Sequence, residues 1–264
     1  MKWSPEADKA MQKVPFFVRK KVRQKVEQYT WDKGKTLVGI ADVKAAKKKF
    51  LSSMSTDIKG YQLDRCFGAS GCPHGAMSCE GIMEKAEAVF MEEDILGFLK
   101  KEVKGDLKYH HEFRMSCADC PNGCSQPQIK DVGILGAVTP RLTDETCSQC
   151  LACVAVCPDL CISLDDNAKA PSIDFDACMM CGKCINACPS GTIDEGEKGF
   201  RVQLGGRLGR HPRLAMEIPR LMSELEVLEV LKRALAFYKI HSKNGTRFSK
   251  MLRPEHIQVI IPAK

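Results

Sequence analysis

From Cys147 the chain reads C-x2-C-x2-C-x3-C-P through Cys150, Cys153, Cys157 and Pro158, and the same spacing returns 31 residues later at Cys178, Cys181, Cys184, Cys188 and Pro189. Glu145 and Asp176 stand at one distance before each array, and Ile162 and Ile193 follow at matching distances, so the two arrays form an internal duplication. Three thiolates on a tight loop can cap three irons of a cubane, and the fourth, followed by proline, leads away toward a second one. Two structural zinc sites are the alternative, but zinc favours two separated C-x2-C pairs over a triple followed by C-P. Fifteen cysteines without an apolar leader point away from a disulfide framework and toward metal or redox work.

Residues 143–197 resemble a bacterial two-cluster ferredoxin. The resemblance implies exchanged fourth ligands: one [4Fe-4S] cluster on Cys147, Cys150, Cys153 and Cys188, the other on Cys178, Cys181, Cys184 and Cys157. Cys161 aligns with Thr192 in the other half, has no ligand role, and reads as a small buried filler.

Six further thiols lie outside this segment, and four of them fall into two spaced pairs. Cys66 and Cys72 are spaced C-x5-C and Cys120 and Cys124 C-x3-C, enough for a third cubane. These pairs, with CPNGCSQPQIKDVGILG at 120–136, GGRLGRHPRLA at 205–215 and NGTRF at 244–248, resemble the sirohaem and [4Fe-4S] half of the sulfite and nitrite reductase family, in its small anaerobic form. The likeness runs over about residues 60–260, with the ferredoxin segment inside it. By position it implies that Cys124 both ligates the cubane and bridges to sirohaem iron.

Pro121 and Gly123 permit a tight turn between thiolates, and Asn122 can donate its amide to a sulfur. Gln126 and Gln128 read equally as cofactor contacts or polar surface, and Cys79 and Cys117 as spare buried thiols. Arg201, Arg207, Arg210, His211 and Arg213 form the candidate clamp for macrocycle carboxylates, with Arg207, Arg210, His211 and Arg213 also the candidate substrate cations. A solvated basic loop is the competing reading.

About 65 residues precede Cys66, and they do not look like the other half of a complete reductase, so a homodimer or a heteromeric partner is expected. Instead Trp3, Pro5, Glu6 and Ala7, VPFFVRKKVR at 14–23 and ADVKAAK at 41–47 resemble the C-terminal domain of the dark-operative protochlorophyllide reductase B subunit. Ser4 and Pro5 read as N-cap and first helical residue, Val18, Val22, Val26 and Tyr29 as an apolar stripe, and Asp32-Lys33-Gly34 as a stop. Arg19, Lys20, Lys21 and Arg23 form either a solvated basic face or a macrocycle contact.

The expected class is α+β in three parts: a helical domain at 1–50, a reductase-like domain at 51–142 and 198–264, and the two-cluster insert at 143–197. Residues 81–104 predict a helix broken near Glu92-Glu93-Asp94, and Leu221, Leu225, Leu228, Leu231, Leu235 and Tyr238 an amphipathic helix. VGILGAV (132–138), FRVQLGG (200–206) and IQVIIP (257–262) predict strands. The formal charge of +7 is spread along the chain with few interleaved aromatics, which argues against nucleic acid, and no apolar run predicts a membrane span. The expectation is a cytoplasmic, oxygen-sensitive iron–sulfur protein with three [4Fe-4S] clusters and sirohaem, fed by a low-potential electron donor and reducing sulfite or nitrite. An electron-transfer subunit without sirohaem, and a protein acting on another tetrapyrrole, are the alternatives.

Overall fold

The computed structural model describes residues 1–56, 58–166 and 168–262. They form two compact units, Met1–Ile58 with Val103–Tyr109, and Lys59–Glu102 with His110–Lys264.

The first unit runs β1 (Lys2–Trp3), α1 (Pro5–Gln12), α2 (Phe16–Trp31), β2 (Leu37–Val38) and α3 (Ile40–Thr56), with β1 and β2 paired in parallel. Ser4 caps α1, its Oγ accepting from the Ala7 N–H at 3.3 Å, with Pro5 at the first position as expected. Gly34 takes φ +69 just past the end of α2, a conformation that glycine enters without strain. Ala7, Val26, Val38 and Ala46 make the core, with Trp3, Val22, Tyr29 and Val43 packed on it, so three of the four stripe residues face inward. Arg19 donates to the Gln12 and Val14 carbonyls, and Arg23 pairs with Asp8 at 2.7 Å over the Trp3 ring. Those two cations therefore serve this unit's own packing, while Lys20 and Lys21 are exposed.

The second unit runs β3 (Tyr61–Arg65), α4 (Glu80–Glu92), α5 (Ile95–Glu102), β4 (Phe113–Ala118), β5 (Val132–Leu142), α6 (Ala152–Val156), β6 (Ile162–Ser163), β7 (Ser172–Ile173), α7 (Lys183–Ala187), β8 (Ile193–Leu204), β9 (Met216–Glu217), α8 (Glu224–His241), α9 (Phe248–Met251) and α10 (Pro254–Ile260). Its sheet has the order β3-β4-β5-β8-β9; the first three strands are parallel and the last two antiparallel. The class is α+β. Phe113 of β4 centres the core, its ring 5.8 Å from Phe90, 5.5 Å from Tyr238 and 5.3 Å from Phe248. Such aromatic contacts add to the burial that holds α4 and α8 on the sheet.

Three expectations are corrected. IQVIIP is the end of α10, not a strand: Pro254 opens that helix, and its preset φ selects helix over the extended state that β-branched residues favour. In α8 the buried face is Val227, Val230, Leu231, Ala234, Leu235 and Tyr238, while Leu225 is 75% exposed and Leu221 precedes the helix. Leu231, Leu235 and Tyr238 are buried as expected, so the departure is confined to the start, where the helix begins only at Glu224 after the Ser223 capping box. Finally, Cys79 and Cys117 are not spare thiols but a disulfide, joining the start of α4 to β4 with Cα atoms 6.2 Å apart. Among the described residues no helix is long and apolar enough to cross a membrane.

Candidate metal centres

Both halves of the duplicated array hang from the β5–β8 hairpin. The register of that pair breaks between Val138 and Pro140, and there the Val138 N–H donates to the Met180 carbonyl at 2.9 Å. At the hairpin's far end the Thr143 N–H donates to the Thr192 carbonyl at 2.9 Å.

The two halves repeat each other at the turns after Cys147 and Cys178. Gln149 and Leu151 take φ +54 and +60, and their counterparts Met180 and Gly182 take +60 and +72. The Gln149 N–H points at the Cys147 sulfur and the Met180 N–H at the Cys178 sulfur, each at 3.4 Å. Left-handed backbone at non-glycine residues is strained, and it persists here because it curls N–H groups inward around the thiols. The short helices α6 and α7 then carry the chain to Cys157 and Cys188.

Each fourth cysteine lands in the opposite half. Cys147, Cys150, Cys153 and Cys188 line one cavity, and Cys157, Cys178, Cys181 and Cys184 line the other. These are the exchanged sets that the ferredoxin resemblance implies. Cys161 lines the second cavity as well. Burial pushes the Cys184 thiol up to about 11, a penalty on the thiolate that a bound cation offsets. At Cys188 burial is outweighed by N–H donors, led by Ile193 at 3.4 Å, so its thiol is lowered. Among the described residues no three His, Cys, Asp or Glu side chains converge as a single zinc ion needs.

The remaining four cysteines come from the ends of two adjacent parallel strands. β3 and β4 pair in register as far as Arg65 and Cys117, so Cys66 and Cys120 leave the sheet at the same edge. This crevice beyond the carboxyl ends of parallel strands is where open sheets bind ligands. Asp119 ties the segments: its N–H donates to the Cys66 sulfur at 3.3 Å, and its carbonyl accepts from Ala76 and Met77 at 2.8 and 3.0 Å. Burial raises the Cys120 thiol, and the charges of Cys124, Cys66 and Cys72 raise it further.

Cys120 is buried, Cys66 half-buried, and Cys72 and Cys124 exposed. A sulfur that bridges a cubane to a second group needs one open side, which Cys124 has. The Asn122 amide donates to it at 3.0 Å, as expected, and Gly123 at φ +60 closes the turn. Gln126 takes φ +59 and opens the turn at Pro127–Ile129, and the Gln128 carbonyl accepts from the Ala215 N–H at 2.8 Å. That bond brings the 205–215 loop against the CPNGC segment.

Three of the five candidate cations, Arg201 on β8 and Arg207 and Arg213 in that loop, are engaged by the protein. Arg201 forms a two-pronged pair with Glu217, at 2.6 and 2.9 Å. Arg207 donates to the His211 and Ser249 carbonyls, and Arg213 to those of Gly205, Ser249 and Leu252. A guanidinium offers five donors, and buried carbonyls of folded loops capture them, so these arginines shape the loop instead of reaching outward. Arg210 and His211 remain exposed, beside Leu208 and Leu214, which are 68% and 67% exposed; Phe67, next to Cys66, is 83% exposed. Apolar faces with a cation fit a macrocycle bearing carboxylates. Sequence reasoning passed over Phe67, Leu208 and Leu214, since only burial distinguishes an exposed apolar side chain from core.

Residues 62–253 match the family model described as the nitrite and sulphite reductase 4Fe-4S domain, and residues 3–47 that of the proto-chlorophyllide reductase 57 kD subunit. The chain is 32% identical over 176 residues to the coenzyme F420-dependent sulfite reductase of Methanocaldococcus jannaschii, covering 67% of this chain and 27% of that one. It is 28% identical over 208 residues to one subunit of the anaerobic sulfite reductase of Salmonella typhimurium, covering 76% and 60%. It thus spans less than two thirds of either relative. Among solved structures, a dissimilatory sulfite reductase I superposes with a TM-score of 0.51 at 17% identity over 76% of this chain and 52% of the other.

Proposed function

The chain belongs to the nitrite and sulphite reductase 4Fe-4S domain family, and from that premise we propose that it is a small sirohaem-dependent sulfite or nitrite reductase, or the redox subunit of one. On this reading electrons enter at two ferredoxin-type clusters in the 143–197 segment and end at a sirohaem-coupled cubane. The observation that supports it is that β3 and β4 run parallel and in register, so that Cys66 and the CPNGC turn leave the sheet at the same end, where the Asp119 N–H donates to the Cys66 sulfur and Cys124 stays exposed.

Each cubane would supply one-electron storage, and sirohaem an iron able to hold a sulfur or nitrogen oxyanion through repeated reduction. The chain's own residues bind and orient. Cys147, Cys150, Cys153 and Cys188 would hold one cluster and Cys178, Cys181, Cys184 and Cys157 another, while Asn122 steadies the Cys124 thiolate. Arg210 and His211 would meet carboxylates or the anionic substrate, with Phe67, Leu208 and Leu214 excluding water from the macrocycle's faces. The partner, a second copy or a different polypeptide, would complete the substrate site, and a low-potential carrier would supply electrons.

The engagement of Arg201, Arg207 and Arg213 by protein groups favours a second reading, an electron-transfer subunit without sirohaem. The match of residues 3–47 favours a third, action on another tetrapyrrole. One anaerobic preparation separates them. The first reading requires tetrapyrrole absorption with about twelve cluster irons per chain, four for each of three cubanes, and sulfite- or nitrite-dependent oxidation of the reduced protein. Iron without a macrocycle rejects it in favour of the second, and extracted pigment of a different mass favours the third.

A further inference from the structure

Cys161 stands outside every ligand set, yet it is nine-tenths buried and lines the cavity of Cys157, Cys178, Cys181 and Cys184. Its sulfur lies 3.4 Å from that of Cys157. The other half is built differently. There Thr192, at the position equivalent to Cys161, bonds the Ser190 hydroxyl at 2.9 Å, and it is Ser190 that faces the Cys188 sulfur, at 3.6 Å. The residue equivalent to Ser190 is Asp159, so this half has no hydroxyl at that position. Each fourth cysteine thus has a side-chain partner, a hydroxyl two residues on in one half and a thiol four residues on in the other.

We infer that Cys161 is a positioning residue that donates its S–H to the Cys157 thiolate and so sets the reduction potential of that cluster separately from its twin. The inference rests on the reading that these cysteines hold a [4Fe-4S] cluster. A hydrogen bond to a ligating sulfur withdraws charge from the iron, and it strengthens when the cluster gains an electron, so it raises the potential.

The test is a redox titration followed by electron paramagnetic resonance on the full-length, anaerobically purified protein and its Cys161→Ala and Cys161→Ser variants, with iron analysis. Cys161→Ala should keep its iron and shift one cluster signal to lower potential, leaving the others in place. The shifted signal should be the one that Cys178→Ala abolishes. Cys161→Ser, which keeps a donor, should restore the midpoint toward that of the unchanged protein. Unmoved midpoints in Cys161→Ala would overturn the inference, as would loss of a whole cluster, which would make Cys161 a ligand or a packing residue. Unmodified protein without cubane signals would instead fell the underlying cluster reading, and this inference with it.

Discussion

The backbone N–H of Asp119 donates to the sulfur of Cys66 at 3.3 Å, across 53 residues of chain, so the loop after β4 and the cysteine after β3 are built as one object. Gly68 lies so close beneath Asp119 that a Cβ there would collide with its carboxylate. Gly68→Ala is therefore expected to separate the two loops and remove about four irons per chain, one cubane's worth. The ferredoxin-type signals should persist. Iron analysis with anaerobic absorption spectra measures both.

Asn122 donates to the sulfur proposed to bridge cubane and macrocycle. Asn122→Ala removes a hydrogen bond to a charged group on an exposed turn, worth roughly 1 kcal/mol after solvent screening. For a one-electron couple that corresponds to about 40 mV, and the shift should be to lower potential. Potentiometry resolves it; an unchanged midpoint would rule out a tuning role.

The Cys79–Cys117 disulfide closes a loop of 38 residues between α4 and β4. Loop-closure entropy assigns such a link about 4 kcal/mol. The double variant Cys79→Ala, Cys117→Ala should unfold at lower denaturant than the oxidised parent and match it in strong reductant. Equal midpoints under oxidising conditions would show that the link contributes nothing.

The exchanged ligand sets predict a pattern in double variants. Cys188→Ala should lose one cluster, and adding Cys147→Ala should remove no more iron, since both line one cavity. Adding Cys178→Ala instead should remove a second, because Cys178 lines the other. Iron counts that pair Cys188 with Cys178 would contradict the exchange.

Glu226 closes the α8 capping box, and the Ser223 N–H, then Arg220, holds its carboxyl below the usual range near 4.5. A depressed folded value means that the stabilisation is present above the unfolded value and lost as pH falls through the folded one. Glu226→Gln should therefore cost about 0.5–1 kcal/mol at neutral pH. The difference from the parent should shrink below about pH 4.5 and vanish at lower pH, followed by thermal unfolding across that range.

Much of the redox apparatus is legible before folding. The spacing of Cys147 through Cys157, repeated from Cys178, is a local property, since three thiols on one loop are held near each other by a few covalent bonds. The same holds for Ser4 with Pro5 and for the break between α4 and α5, where neighbouring residues decide the outcome. Leu231, Leu235 and Tyr238 were legible as the buried face of α8, but its first turn was not, because Leu225 and Val227 are equally apolar and only the packing beneath selects between them. Nor was the helical end of IQVIIP, where one proline outweighed a β-branched run.

Sequence alone therefore determined how many thiols there are, how they are spaced, and that six lie outside the duplication, four of them in two spaced pairs. Tertiary structure alone decided that Cys79 meets Cys117, that Asp119 reaches Cys66, and that Arg201, Arg207 and Arg213 are engaged by carbonyls and Glu217 instead of standing free. The physical reason is range. Spacing along a loop is set by bond lengths and turns, whereas the partner of a buried thiol or guanidinium is whichever group the packed strands and helices carry to it.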